Sequence, residues 1–125
     1  MRLVLIVEDT PFERELMRRA VTEEGYTCVE AGNGREALAR IREERPDCIL
    51  TDLGMPEMDG FELLAALQED GLRVPVVVVT ADRQQRTRDE CLRLGAVEVL
   101  HKPWARRLLV DAVRKALAAA HSSGQ

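Results

Sequence analysis

Residues 47–60 read Asp47-Cys-Ile-Leu-Thr-Asp52-Leu-Gly-Met-Pro-Glu-Met-Asp-Gly60. The apolar run in the first half predicts a short buried strand, and the Gly-Met-Pro sequence after it predicts a turn. Asp52 closes the apolar run, so we expect its carboxylate at the tip of that strand. In an open α/β sheet, the carboxyl ends of the strands are where binding sites form.

Three other apolar runs also end in polar side chains. The first run is followed by the acids Glu8 and Asp9, the second ends with the hydroxyl of Thr80, and the third ends with the ammonium of Lys102. Carboxylates crowded together repel one another unless a cation lies between them. A hard divalent ion with oxygen ligands is therefore expected at this place, with Lys102 supplying a further fixed charge.

Strand-like runs alternate with helix-like runs along the chain. The predicted strands are Leu3–Val7, Tyr26–Ala31, Cys48–Asp52, Val76–Thr80 and Val97–His101, and the predicted helices cover residues 11–25, 35–45, 60–71, 84–94 and 104–120. Parallel strands need crossover connections, and those are right-handed. The pattern predicts an α/β fold of the flavodoxin-like kind, a (βα)5 doubly wound five-stranded parallel sheet in the order 2-1-3-4-5, with its site beside strands one and three.

Helical spacing also predicts which residues face the core. The inward candidates of the first helix are Phe12, Leu16, Met17, Ala20 and Val21, and those of the last helix are Leu108, Leu109, Ala112, Val113, Ala116 and Leu117. The third helix contributes Phe61, Leu64, Ala65 and Leu67.

Length and composition suit one globular domain. The chain has 125 residues, 46% of them hydrophobic, and we assign residues 1–121 to a single domain and residues 122–125 to a frayed polar tail. No apolar run approaches the roughly 18 residues of a membrane span, so a cytoplasmic protein is expected. The three cysteines, Cys28, Cys48 and Cys91, are interpreted as buried or half-buried thiols.

The charge is distributed unevenly. Residues 1–82 carry 9 basic and 18 acidic side chains, whereas residues 83–125 carry 9 basic and 4 acidic ones. The basic part lacks interleaved aromatic residues, so no nucleic-acid surface is predicted, and an acidic or phosphorylated protein partner fits better. The candidate output face, which would contact this partner, contains Arg83, Arg86, Arg88, Arg93, Arg106, Arg107 and Arg114. A solvated surface without a partner is an equal alternative.

These features resemble the receiver (CheY-like) domain of two-component response regulators, over nearly the whole chain. The matching segments are Glu8-Asp9, Asp52-Leu-Gly-Met-Pro-Glu-Met-Asp-Gly60, Thr80-Ala81 and Lys102-Pro103. Each is weak alone, but their order and spacing are specific. The resemblance implies a phosphoacceptor signalling domain, which takes a phosphoryl group from a phosphohistidine onto Asp52 with Mg2+.

The resemblance also implies a metal site. Asp9 is similar to the direct metal ligand and Glu8 to its partner through water, with Asp52 and the backbone carbonyl of Gly54 as further ligands. Mg2+ keeps several waters, so a small set of protein ligands is expected. For Glu8 or Asp9 taken singly, charge complementing a helix N-terminus is a fair alternative.

Lys102, Thr80 and Ala81 are similar to the residues that contact the phosphoryl group, Ala81 through its backbone N–H. The chain has 16 Arg and only two Lys, so a lysine at 102 points to a need for a compact charge. Thr80 alone is equally well explained as an ordinary strand residue. Pro103 is the cis-peptide candidate, with the start of a helix as an equal alternative.

One residue departs from the family pattern. The switch pairs Thr80 with an aromatic residue three positions before the lysine, and this chain has Val99 there. Output is therefore expected to run through the fourth helix and its preceding loop, to be weaker, or to be absent. Gly54 and Asp82 are at positions that in the family affect the lifetime of the phosphorylated form.

The leading hypothesis is a switch that alters a surface on helices four and five and strand five. The implied partners are a histidine kinase or a histidine phosphotransfer protein and an unknown downstream protein, with neither nucleic acid nor membrane contacted directly. The chain is expected to be a monomer or a phosphorylation-dependent dimer. It is not expected to be an enzyme beyond its own phosphorylation and dephosphorylation.

Three alternative functions compete with this hypothesis. An aspartyl-phosphate phosphatase would carry a second Asp two residues after Asp52, where this chain has Gly54. A flavin-binding domain would need a phosphate-cradling loop after the first strand, and that loop is acidic here. A receiver that has lost its switch and acts as a docking module or phosphate sink stays open because of Val99.

Overall fold

The computed structural model describes residues 2–123, with side chains up to residue 119. The strands are β1 (Leu3–Val7), β2 (Thr27–Ala31), β3 (Cys48–Thr51), β4 (Val76–Thr80) and β5 (Glu98–His101). The helices are α1 (Pro11–Thr22), α2 (Gly34–Glu44), α3 (Gly60–Glu69), α4 (Gln85–Arg93) and α5 (Arg106–Ser123). All strand pairs are parallel, in the order β2-β1-β3-β4-β5, which confirms the predicted fold.

The sheet has a core on each face. In β1, Leu5 and Val7 pack with α2, α3 and α4, whereas Val4 and Ile6 pack with α1 and α5. Side chains alternate between the two faces of a strand, and here both faces are covered by helices. The continuous apolar runs of β1, β3 and β4 follow from this arrangement.

Three residues predicted to face the core are exposed instead. The exposed fractions are 72% for Phe12, 41% for Leu16 and 52% for Leu108. At 3.6 residues per turn, the apolar stripe predicted for each helix spans about 180° of its circumference. Contact with one sheet face covers less than that, so residues at the edge of the stripe remain in solvent.

Element ends differ slightly from the prediction. Asp52 lies just after β3 rather than inside it, and α5 begins at Arg106 and runs to Ser123, past the predicted end at Ala120. Residues 124–125 of the predicted tail lie outside the described residues, and the domain boundary at residue 121 stays a prediction.

The cysteines agree with their interpretation as thiols removed from solvent. Cys48 and Cys91 are buried and Cys28 is half-buried. Burial raises the pKa of the Cys28 thiol to about 11 and that of Cys48 to about 12. No helix among the described residues is long and apolar enough to cross a membrane.

Candidate functional site

The carboxyl ends of four strands bring the predicted polar residues together. Glu8 and Asp9 follow β1, and Asp52 follows β3, which is the neighbour of β1 in the sheet. One carboxylate oxygen from each of these three residues lies within 4.8 Å of the other two. Glu8 is fully buried, Asp52 is partly buried and Asp9 is exposed. The three acids thus form one cluster, open to solvent on the side of Asp9.

Lys102 faces this cluster from the end of β5. Its Nζ donates to Glu8 Oε2 at 3.0 Å and to Asp52 Oδ2 at 3.3 Å. Its backbone N–H donates to the Thr80 carbonyl oxygen at 2.9 Å, which ties it to β4, and the peptide bond to Pro103 is cis. A third carboxylate, Glu13 Oε1, lies 2.9 Å from the same Nζ.

Burial and charge act in opposite directions on this cluster. Burial raises the pKa of Glu8 above its ordinary value, the hydrogen bond from Lys102 opposes that rise, and the charge of Asp52 adds to it. Burial disfavours the ammonium of Lys102, but its hydrogen bonds to Glu13 and Glu8 outweigh burial and hold its pKa above the ordinary value. Lys102 therefore stays charged at neutral pH, and it offsets only part of the negative charge of its neighbours.

The oxygen atoms of this cluster fit a hard divalent cation. Carboxylate oxygens are the ligands that Mg2+ takes from proteins, and it keeps waters in its other positions. Gly54, whose carbonyl oxygen was predicted as a ligand, lines the same cavity as Asp52, and a Cβ at this position would meet nothing within 4 Å. The open side of the cluster leaves room for the waters.

Backbone contacts hold Asp52 in place. Its N–H donates to the Val7 carbonyl oxygen at 3.1 Å, and its Oδ1 accepts from Leu53 N–H at 2.7 Å. A Cβ on Gly60 would lie 2.5 Å from the Asp52 carbonyl oxygen, so only glycine lets the start of α3 approach this closely. Oδ1 is thereby oriented by the backbone, and Oδ2 faces Lys102.

Next to Asp52 lies a cavity of about 430 Å3. Its lining residues are Asp52, Leu53, Gly54, Asp59, Phe61, Thr80, Ala81, Asp82 and Lys102. The predicted phosphoryl contacts Thr80, Ala81 and Lys102 thus line the same cavity as Asp52.

A chain of hydrogen bonds leads from Thr80 to α4. The Thr80 hydroxyl oxygen accepts from Asp82 N–H at 3.1 Å. The Asp82 carboxylate accepts from Gln84 N–H at 2.9 Å and from the Thr87 hydroxyl at 2.8 Å, and these two bonds keep the pKa of Asp82 below its ordinary value. Thr87 is buried in α4. The position of Thr80 is therefore linked to the first turns of this helix.

Val99 lies in the core, with an exposed fraction of 4%. It packs among the residues of the α2, α3 and α4 face, and its carbonyl oxygen accepts from Arg88 of α4 at 3.3 Å. The site residues that the sequence did not predict are Glu13 and Thr87. Glu13 lies in the first turn of α1, and its position in the sequence does not by itself predict a contact with Lys102.

The structure thus combines a doubly wound parallel sheet with an acid cluster and a lysine at the ends of β1, β3 and β5. The family model described as Response regulator receiver domain matches residues 4–114, and the chain belongs to this family. The predicted relationship to receiver domains is thereby confirmed. Receiver domains are parts of signalling proteins, not metabolic enzymes.

Individual relatives agree with this assignment. The response regulator MprA of Mycolicibacterium vanbaalenii is 37% identical over 114 residues, which cover 91% of this chain and 49% of MprA. The chemotaxis protein CheY of Thermotoga maritima is 34% identical, with 90% of this chain and 94% of CheY covered. The structure of chemotaxis protein CheY4 of Vibrio cholerae superposes with a TM-score of 0.87 at 30% identity, with 94% of this chain and 99% of CheY4 covered. The chain spans only half of another response regulator and 12% of a sensor histidine kinase that it matches.

Proposed function

We propose that this chain is a phosphoacceptor domain that takes a phosphoryl group from a phosphohistidine onto Asp52 with the help of Mg2+. The observation that carries the proposal is the convergence of three carboxylates and one ammonium beside an open cavity. An Asp52 oxygen attacks phosphorus and forms an O–P bond, while the N–P bond of the donor breaks and its electron pair stays on the imidazole.

Each residue of the cluster has a defined part in this proposal. Asp9, Asp52 and the Gly54 carbonyl oxygen would hold the metal directly, and Glu8 would hold it through water. The ion supplies charge neutralisation when the anionic phosphoryl group approaches Asp52. Lys102, the Thr80 hydroxyl and the Ala81 N–H bind the phosphoryl oxygens after transfer.

The output in this proposal starts from the Thr80 hydroxyl. Thr80 holds Asp82 N–H in the unmodified protein, and movement toward a phosphoryl oxygen breaks that bond. Asp82 then shifts the start of α4 through its bonds to Gln84 and Thr87. This path does not need an aromatic residue at position 99. A receiver without output, acting as a docking module or phosphate sink, is the alternative favoured by the buried Val99.

The proposed partners are a histidine kinase or histidine phosphotransfer protein and one downstream protein that reads α4, β5 and α5. The basic segment is less uniform than its composition indicates, because Arg106 and Arg114 pair with Glu23 and Glu24, just after α1, and Arg93 pairs with Glu90. Arg83, Arg86 and Arg88 donate to uncharged oxygens instead, so positive charge without a carboxylate partner lies near the start of α4. An acidic partner surface would dock there.

The decisive experiment is phosphorylation with a small acyl phosphate, followed by intact mass. We expect one added phosphoryl group that requires both Mg2+ and Asp52, so that the Asp52→Asn variant gains none. The Asp89→Asn variant on the exposed face of α4 is the matched control and should be labelled like the wild type. Labelling without Mg2+, or labelling of the Asp52→Asn variant, would refute the proposal.

A further inference from the structure

Glu13 lies in the first turn of α1 and approaches the acceptor site from outside the strand ends. Its Oε1 is 2.9 Å from Lys102 Nζ, the shortest of the three carboxylate distances to this ammonium. The Glu13 side chain is 34% exposed, compared with 0% for Glu8 and 14% for Asp52. Glu13 thus reaches the same lysine from the solvent side.

The bonds of the ammonium show what Glu13 can do. Lys102 has three N–H donors, and Glu8, Asp52 and Glu13 can accept all of them. Glu8 and Asp52 also belong to the three-acid cluster that fits a divalent cation, whereas Glu13 is not part of that cluster. A cation in the cluster competes with Lys102 for Glu8 and Asp52. Glu13 is then the hydrogen-bond acceptor of the ammonium for which the cation does not compete.

We propose that Glu13 is a positioning residue that holds the Lys102 ammonium and thereby favours divalent-cation binding while it opposes phosphoryl transfer to Asp52. The inference rests on the proposed function for its second half. Glu13 adds one negative charge beside the cluster, which attracts a cation and repels an anionic phosphodonor. It also draws toward itself the ammonium that would otherwise bind the phosphoryl oxygens.

The first test is a titration with Mg2+ alone, without a phosphodonor. The chain has one tryptophan, Trp104, two residues after Lys102, so its fluorescence reports on the site. For the Glu13→Gln variant we expect an affinity about three- to tenfold weaker than wild type, the effect of one charge at a few ångströms in a wet site. The control is Glu15→Gln, which removes a charge from the same helix where it pairs with Arg18 and Arg19.

The second test uses the small acyl phosphate at saturating Mg2+. The Glu13→Gln variant should be labelled about three- to tenfold faster than wild type, although it binds Mg2+ more weakly. A structural defect would lower both the Mg2+ affinity and the labelling rate. A weaker affinity together with faster labelling therefore identifies a positioning role. Equal Mg2+ affinity in Glu13→Gln and Glu15→Gln, or slower labelling of Glu13→Gln at saturating Mg2+, would overturn the inference.

A double-mutant cycle shows whether Glu13 acts through the lysine. In a Lys102→Met background, the part of the Glu13→Gln effect that acts through the lysine is absent, so the effect on Mg2+ affinity should be clearly smaller than in wild type. An undiminished effect would overturn the positioning role. If wild type takes no phosphoryl group at all, the proposed function fails, whereas the two Mg2+ titrations still decide the role of Glu13.

Discussion

The two sides of the acceptor site are built from different interactions. On the β1–β3 side, buried or partly buried carboxylates surround one ammonium, and the proposed acceptor Asp52 is fixed by backbone bonds to Val7 and Leu53. On the β4–α4 side, single hydrogen bonds connect Thr80, the exposed Asp82 and the helix. Charges in a partly buried site hold a fixed arrangement, whereas single hydrogen bonds can be exchanged at little cost.

This difference separates chemistry from response. On the β1–β3 side the site residues match the family pattern, whereas the β4–α4 side combines the matching Thr80 with the departure at Val99 and with Thr87. A domain can thus retain phosphoryl transfer while its signalling path changes. Substitutions on the first side should alter stability and metal binding, and those on the second should alter the behaviour of α4.

The largest effect is expected for Lys102→Met. Without the ammonium, the fully buried Glu8 loses its charged partner beside Asp52, and the free energy of unfolding should fall by about 3 kcal/mol at neutral pH. Added Mg2+ should recover most of this loss, because a divalent cation replaces the missing charge. Urea unfolding with and without Mg2+ measures both effects.

Lys115→Met provides the control for that measurement. Lys115 is the only other lysine of the chain and is exposed on α5. Its substitution should change stability by less than about 0.5 kcal/mol. A destabilisation of Lys102→Met that Mg2+ does not relieve would show that cation and ammonium do not share the same carboxylates.

A smaller loss is expected for Gly60→Ala. The added methyl would lie 2.5 Å from the Asp52 carbonyl oxygen and 2.9 Å from Leu53 Cα, both of which are backbone atoms. Relief requires a shift of α3 or of the acceptor loop, so we expect a cost of about 2 kcal/mol and slower labelling of Asp52. Thermal unfolding and the acyl phosphate assay measure the two effects.

Gly54→Ala is the matched substitution in the same loop. A Cβ there meets nothing within 4 Å, so its stability should stay within about 0.5 kcal/mol of wild type. Equal stability of the two alanine variants would mean that the contact at Gly60 does not hold the acceptor loop.

The β1–β3 side was also the more predictable one. The carboxyl ends of all strands in a parallel sheet lie at one edge, so apolar runs ending in Glu8, Asp52 and Lys102 predicted these residues at the same edge. The contact of Glu13 with Lys102 depends on how the first turn of α1 lies over a strand end that is distant in sequence, and no local pattern specifies that. Its role and those of the other site residues stay predictions.

The β4–α4 side was less predictable, because its bonds depend on the conformation of a loop. Asp82 was noted only for its position in the family pattern, and Thr87 not at all, since a threonine inside a charged helix carries no distinctive signal. The prediction that Phe12 and Leu108 face the core was wrong for a related reason. Periodicity identifies a helix face but not how much of that face its neighbours cover.

The smallest effect on stability, about 1 kcal/mol, is expected for Thr87→Val, which keeps the shape of the side chain but removes the hydroxyl that donates to Asp82. Labelling of Asp52 should stay at the wild-type rate, because Thr87 does not line the cavity. Hydrogen exchange of the α4 amides should change on phosphorylation in wild type and much less in the variant.

Thr22→Val, which removes a hydroxyl bonded within α1, should keep the full change in α4. If hydrogen exchange in α4 changes as much in Thr87→Val as in wild type, other contacts connect Thr80 to α4. The contrast between the two sides would then be confined to the site itself.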